Sequence, residues 1–258
     1  MYITHTYNLS DDICIYFTDS GPPPGSTDYT TLIVLHGTAF HCDSLTHLHT
    51  YAHAQNIRTV ILNRREYPGS TPYTDAEIDD LVHGRKVFLD RLGTLLGDFL
   101  KTFIENETIP EMDMVNRTGG IAIMGWSAGN MTGMSLFSDP DLLDDTIYKL
   151  LRKYVRGLVL YDPAHSVFGY PPPQISTLYN PFIDPEFQGD PKEKFRNFSY
   201  WVASYYDHDL SQGPAGYDRR KRTENNSIAN WSDEDFAKYC SVDAAIRSEQ
   251  TCDSFFFH

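Results

Sequence analysis

Long hydrophobic runs are missing from this chain. No apolar stretch approaches the ~20 residues needed to cross a bilayer, and the opening Met1-Tyr2-Ile3-Thr4-His5 has neither the basic nor the apolar segment of a secretory signal. A membrane span is not expected, and a cytoplasmic location is. Cysteine is scarce: Cys14, Cys42, Cys240 and Cys252 are widely spaced with no Cys-x-x-Cys pair, which fits reduced thiols better than a disulfide framework or a zinc site. Positive charge is in deficit, with 21 Lys and Arg against 35 Asp and Glu and a formal net charge of −14. Nucleic-acid binding draws most of its affinity from Lys and Arg at phosphates, so a nucleic-acid partner is disfavoured. The one dense basic cluster, Arg219-Arg220-Lys221-Arg222, sits in a polar stretch and reads as a solvated loop.

What is there is ordinary globular material. Of 258 residues, 41% are hydrophobic and 22% charged, enough apolar surface for a single α/β domain with an inserted cap to fold without metals or disulfides. Strand and helix signals alternate to about residue 165, an order that predicts a mostly parallel sheet covered by helices. Ile13 to Phe17 is a short β-rich run, stopped by Gly21-Pro22-Pro23-Pro24-Gly25. Thr31 to Leu35, Thr59 to Leu62 and Ile121 to Met124 have the continuous apolar character of buried strands, and Gly157 to Tyr161 is the last clear strand. Apolar residues from Ile78 to Phe103 recur at three- and four-residue spacing and predict one long amphipathic helix, opened by a Thr74/Glu77 capping box. Leu142 to Arg156 predicts another helix. From Ser166 the chain turns to proline, aromatic and polar residues, with possible helices at Trp201 to Tyr206 and Asp233 to Ile246. The expected organisation is a core over 1–165 and a cap-like region with a tail over 166–258.

The chemistry concentrates at Gly125-Trp126-Ser127-Ala128-Gly129, which follows an apolar run and precedes a helix-compatible segment, Ala128 to Phe137. A serine on a sharp strand-to-helix turn projects its Oγ above the sheet, and only very small residues fit two positions either side. Earlier, His36-Gly37-Thr38-Ala39 follows the strand ending at Leu35. Attack on a carbonyl puts negative charge on its oxygen, which fixed backbone N–H donors stabilise. Ala128 and Thr38 N–H are the expected donors, with Ala39 as a neighbour; Gly37 and Trp126 line the substrate side. His36 lies so early in the chain that it reads as a loop-stabilising histidine rather than a general base.

Together with Asn63-Arg64-Arg65-Glu66-Tyr67-Pro68-Gly69-Ser70 and Tyr161-Asp162-Pro163, these segments resemble the α/β-hydrolase superfamily, in a form similar to uncharacterised fungal members. The match covers about 13 to 165 well and the cap loosely. The resemblance implies an eight-stranded sheet, a Ser-acid-His triad in that chain order, and hydrolysis of an ester, amide or related bond, with no cofactor. A serine at the elbow disfavours the aspartate nucleophile of relatives that open epoxides or remove halides.

The last third departs from that pattern, because the chain ends before the last two strands and before an obvious triad histidine. His165, His208 and His258 remain as bases, of which His208 is carried as the candidate although its surroundings read as structural; Asp162 is the candidate acid, ahead of Asp184 and Asp207. The expected activity is hydrolysis of a small to medium acyl substrate through an acyl-enzyme on Ser127, with Phe168, Tyr170, Tyr179 and Phe182 walling an apolar pocket. The alternative is a catalytically impaired binding protein, or a truncated product lacking the triad histidine. Oligomeric state is not legible.

Overall fold

The apolar runs become neighbouring strands of one sheet. The computed structural model describes residues 2–9, 12–168, 179–182, 184–187 and 189–249, with the backbone alone at His165, Ser166 and Pro214. Six strands, β1 (Ile3–Asn8), β2 (Cys14–Asp19), β3 (Thr30–Leu35), β4 (Ile57–Leu62), β5 (Ile121–Trp126) and β6 (Val155–Tyr161), lie in the order β1-β2-β4-β3-β5-β6. β1 and β2 pair antiparallel, as do β2 and β4; β4, β3, β5 and β6 run parallel. Six strands among the described residues stand where the resemblance implied eight.

Helices α1 (His47–Ala52), α2 (Asp75–Val82), α3 (Lys86–Asn106), α4 (Gly129–Ser135) and α5 (Asp145–Tyr154) alternate with the strands; α6 (Pro191–Val202), α7 (Asp233–Tyr239) and α8 (Val242–Ser248) follow the sheet. The main core packs Phe99 and Phe103 of α3 edge-on against Phe17 of β2 at 5.3 and 6.3 Å between centroids. Among the described residues no helix is long and apolar enough to cross a membrane.

Several expected boundaries move, each for a local reason. The long helix is two, because Gly84 takes φ +60, a left-handed conformation that ends α2 at Val82 and lets α3 start afresh. The capping box on α2 is present in both halves. The helix expected from Leu142 starts at Asp145, capped by the Asp144 carboxylate, and gives way to β6 at Val155. Trp201 to Tyr206 is not a helix: Asp190 caps and Pro191 opens α6 instead, which ends at Val202. The segment from Asp233 breaks at Cys240, extended at φ −124 where it bridges Phe40. β1 was not expected, since Ile3-Thr4-His5-Thr6-Tyr7-Asn8 has little apolar alternation; the β2 ladder and Tyr7, edge-on to Phe17 at 4.8 Å, hold it.

Two charged or ionisable groups inside this core, Arg58 and His49, are paired. Arg58 on β4 reaches Asp19 on β2 and Glu107 beyond α3, the latter at 2.8 Å. His49 on α1 is buried, its two ring nitrogens on Thr59 Oγ1 (2.7 Å) and Thr18 Oγ1 (2.9 Å). Burial pushes its pKa down to about 4. The unfolded chain therefore binds this proton first: His49 contributes stability that is whole above pH ~6.5 and is lost as pH falls through 6.5 toward 4. The expected result is a melting temperature that drops between pH 7.5 and pH 5, and drops less in His49→Asn, read by circular dichroism at each pH.

Candidate active site

At the carboxyl end of β5 the backbone turns sharply into α4, and Ser127 sits on the turn at φ +49. A non-glycine residue there is strained unless its surroundings hold it. They do: Ser127 N–H donates to Tyr161 O at the end of β6 (3.0 Å), while Asn130 donates its backbone N–H to Ser127 O (3.0 Å) and its Nδ2 to both Ser127 O (2.8 Å) and Tyr161 O (3.0 Å). The two flanking glycines are obligatory. A Cβ on Gly125 would stand 2.5 Å from Asn130 Cα, and one on Gly129 2.2 Å from Leu35 O.

The loop after β3 comes up against this turn. A Cβ on Gly37 would meet Ser127 Cβ at 3.2 Å and the Trp126 ring at 3.3 Å, so the absent side chain is what lets the two segments touch. His36 is fully buried; its Nε2 accepts from Arg64 N–H (3.1 Å), which leaves the proton on Nδ1 to donate to Gly37 O (2.9 Å). Burial, then the Arg64 charge, pushes its pKa well below the usual histidine range. It is a neutral loop fastener, as expected. Ala39 takes φ +64 and donates its N–H to Tyr67 Oη (2.9 Å). That N–H is engaged, whereas Thr38 N–H and Ala128 N–H make no hydrogen bond among the described residues.

Behind the loop lies a cluster that no short motif announced. Tyr67 Oη, having accepted from Ala39, donates to Glu249 Oε1 at the end of α8 (2.8 Å), and the same carboxylate pairs with the Arg64 guanidinium. Arg64 also covers the Tyr67 ring at 5.2 Å and donates to Gly37 O (3.1 Å). Burial and Glu249 together push the Tyr67 hydroxyl far up, so it stays protonated. The block from Asn63 to Ser70 marked this region, but Glu249 lies 185 residues from Arg64 and carried no local signal.

The expected acid and base are placed unequally. β6 pairs with β5 so that Tyr161 faces Trp126, and Asp162 follows at φ +46, exposed, beside the residue after Trp126. Asp184 is tied to Lys221 (2.8 Å) and Tyr179 (2.8 Å), and Asp207 is exposed in a loop. His208 is exposed, accepts from Asp218 N–H at Nδ1 (2.9 Å) and stacks on Tyr206 at 6.0 Å. Among the described residues nothing hydrogen-bonds Ser127 Oγ, so His208 and Ser127 are not joined. The side chain of His165 and the whole of His258 lie outside the described residues, as does Tyr170. In the basic cluster, Lys221 pairs with Asp184 and Glu186, and Arg220 with Asp218.

Aromatic residues gather over the Thr38 loop: Phe40, Phe195 and Phe198 are buried together with Trp126, Phe182 and Trp201 against them. Of the four expected pocket walls, Phe182 is in this cluster, Tyr179 is bonded to Asp184 and Asn197, and Phe168 is exposed at 42%. A cavity of about 690 Å³ lies elsewhere, between α3, α4 and β6, with Leu89, Met131, Met134, Phe137 and Leu158 in its wall.

No family model matches the chain, and no curated protein does. Solved structures do. An esterase from Exiguobacterium antarcticum superposes with a TM-score of 0.51 at 12% identity, over 95% of this chain and 72% of that one. An epoxide hydrolase of the α/β-hydrolase superfamily from hot-environment metagenomes gives 0.48 at 19% identity, over 97% and 70%, and one from Vigna radiata 0.45 at 11%, over 97% and 68%. The strand order and the esterase superposition identify the fold as that of the α/β-hydrolases.

Proposed function

We propose that the chain is a serine hydrolase of esterase type acting on a small to medium acyl substrate. The observation that carries this reading is Ser127 on a strained turn between β5 and α4, with Gly37 packed against it and two unengaged N–H groups, those of Thr38 and Ala128, in the flanking segments. In the reaction Ser127 Oγ bonds to the acyl carbon as its proton passes to a base; the carbonyl oxygen takes the negative charge and the two N–H groups receive it. Collapse expels the alcohol, which takes the proton, and water then repeats the sequence to release the acid. Asp162, at the end of β6, is the acid of this site. The base is a histidine; His208, turned to Asp218, gives way to His165 and His258 in this role. Residues 166–258 serve as the cap over the core of 1–165, and the aromatic cluster on the Thr38 loop favours apolar acyl groups over charged ones.

A second reading, a binding protein that holds an acyl ligand without turning it over, is favoured by one observation: both ring nitrogens of His36, the histidine bonded within the Gly37 loop, are already engaged. The deciding measurement is labelling of the purified chain with a fluorophosphonate, beside Ser127→Ala and with folding checked by circular dichroism. The expected result is stoichiometric labelling that vanishes in Ser127→Ala, with ester hydrolysis reduced to the ~10³–10⁴-fold over water that binding and oxyanion donors alone leave. Folded wild-type protein that stays unlabelled while still binding a fluorescent fatty acyl ester would overturn the hydrolase and favour the binder.

A further inference from the structure

Directly after the Thr38 loop, His41, Cys42 and Asp43 bring three different ligand atoms together on one side of the chain. The bend does this: His41 is extended at φ −121, and Cys42 opens a 3-10 turn, Cys42–Leu45. His41 Nδ1 stands 3.7 Å from Asp43 Oδ2, Cys42 Sγ 3.9 Å from Asp43 Oδ1, and all three ligand atoms lie within 4.8 Å of one another. Independently of that clustering, His41 is only 3% exposed and its Nδ1 has no hydrogen-bond partner. A buried ring nitrogen without a partner is costly unless something fills the place.

We propose that His41, Cys42 and Asp43 form a binding site for a divalent cation of the zinc class. Tetrahedral coordination with bonds of ~2.0–2.3 Å sets ligand atoms about 3.3–3.8 Å apart, so separations of at most 4.8 Å need to close by no more than about 1.5 Å. Nitrogen, sulfur and oxygen together select a borderline-soft ion over magnesium or calcium, which take oxygen ligands. Charge closes as well: the ion's two positive charges meet one thiolate and one carboxylate, so the buried site ends neutral. On loading, the Cys42 S–H bond breaks, its proton leaves to solvent and sulfur bonds to the metal. Asp43, half-buried, gives the path of entry and leaves the fourth position to water.

The loop needs no ion to take this shape. Cys42 N–H donates to Asn63 Oδ1 (2.8 Å), His41 N–H to Tyr239 O (3.3 Å), and His41 O accepts from Ser44 N–H (3.0 Å) and Ser44 Oγ (2.7 Å). A preformed site avoids the ordering cost that weakens binding elsewhere. Three adjacent residues match none of the usual metal-ligand spacings, which is why no motif pointed to them.

The test is a cobalt(II) titration of the chelator-stripped, reduced full chain, independent of any activity of Ser127. One equivalent is expected to give thiolate-to-cobalt charge-transfer absorption with visible bands of tetrahedral intensity, to be displaced by zinc, and zinc is expected to raise the melting temperature in proportion to the logarithm of its concentration. The absorption should be lost in Cys42→Ser and kept when Cys14 and Cys252 are both changed to serine. Asp43→Asn, at a half-exposed position, should weaken cobalt at least as much as the roughly 10- to 100-fold that loss of an outer-shell partner costs. No charge-transfer band, or one that survives Cys42→Ser, overturns the site. If Cys42→Ser does not fold, Asp43→Asn decides, and unchanged affinity overturns it.

Discussion

Gly129→Ala is expected to cost the folded state about 3 kcal/mol, the upper end of the ~1–3 kcal/mol typical of overpacking. The methyl would sit 2.2 Å from Leu35 O and 2.7 Å from both Leu35 C and His36 O. All three are backbone atoms at the end of β3, locked into ladders with β4 and β5, so no side chain can rotate aside. Gly125→Ala meets Asn130 Cα at 2.5 Å and should behave alike. Against a total stability of ~5–15 kcal/mol, either change lowers the urea midpoint markedly. Gly157→Ala is the control: on the exposed β6 edge its Cβ meets nothing within 4 Å, and the unfolding free energy should stay within about 0.5 kcal/mol of wild type. Equal effects at 129 and 157 would contradict the close approach of α4 to β3.

Glu249→Ala should cost about 3–5 kcal/mol, the penalty of removing one partner from a buried ion pair. Arg64 is 11% exposed and Glu249 9%, and the carboxylate serves both the guanidinium and Tyr67 Oη. Its loss leaves a buried cation and a phenol that no longer has an acceptor, while Tyr67 still receives Ala39 N–H. Arg64→Leu with Glu249→Leu should recover much of the loss, since two apolar side chains leave no charge unpaired. Urea unfolding of the two single variants and the double variant measures the coupling; additive losses would show that the pair is not a unit.

The sheet was legible because its parallel strands read as unbroken apolar runs, largely buried in β3 and β4 though exposed at the β6 edge, and the turn at Ser127 because strand, glycines and helix are all local. β1 was not, because Ile3 to Asn8 is half-exposed and is held by its partner rather than by its own pattern. The helix break escaped because Gly84 sits within a periodicity that continues on both sides of it, and only its positive φ ends the first helix. Within the site, Ser127, Thr38, Gly37, Ala128 and Trp126 were readable as neighbours of strand ends. Tyr67 and Glu249 were not, since a contact across 182 residues is made by tertiary packing alone. His208 was carried as a base for want of a better-placed histidine after Ser127, and the fold turns it toward Asp218.

That long-range contact also sets an order of assembly on the ribosome. Ala39 is fastened through Tyr67 to Glu249, and Arg64 to the same carboxylate 185 residues on. At ~5–20 residues per second, Arg64 emerges about 10–40 s before its partner is made. Through that interval β3, β4 and β5 can pair, but the segment over Ser127 has no final anchor, and Phe40 and Trp126 lack the α6–α8 residues that cover them. The scaffold is thus complete well before the site is, and the nascent chain waits with Phe40 and Trp126 uncovered.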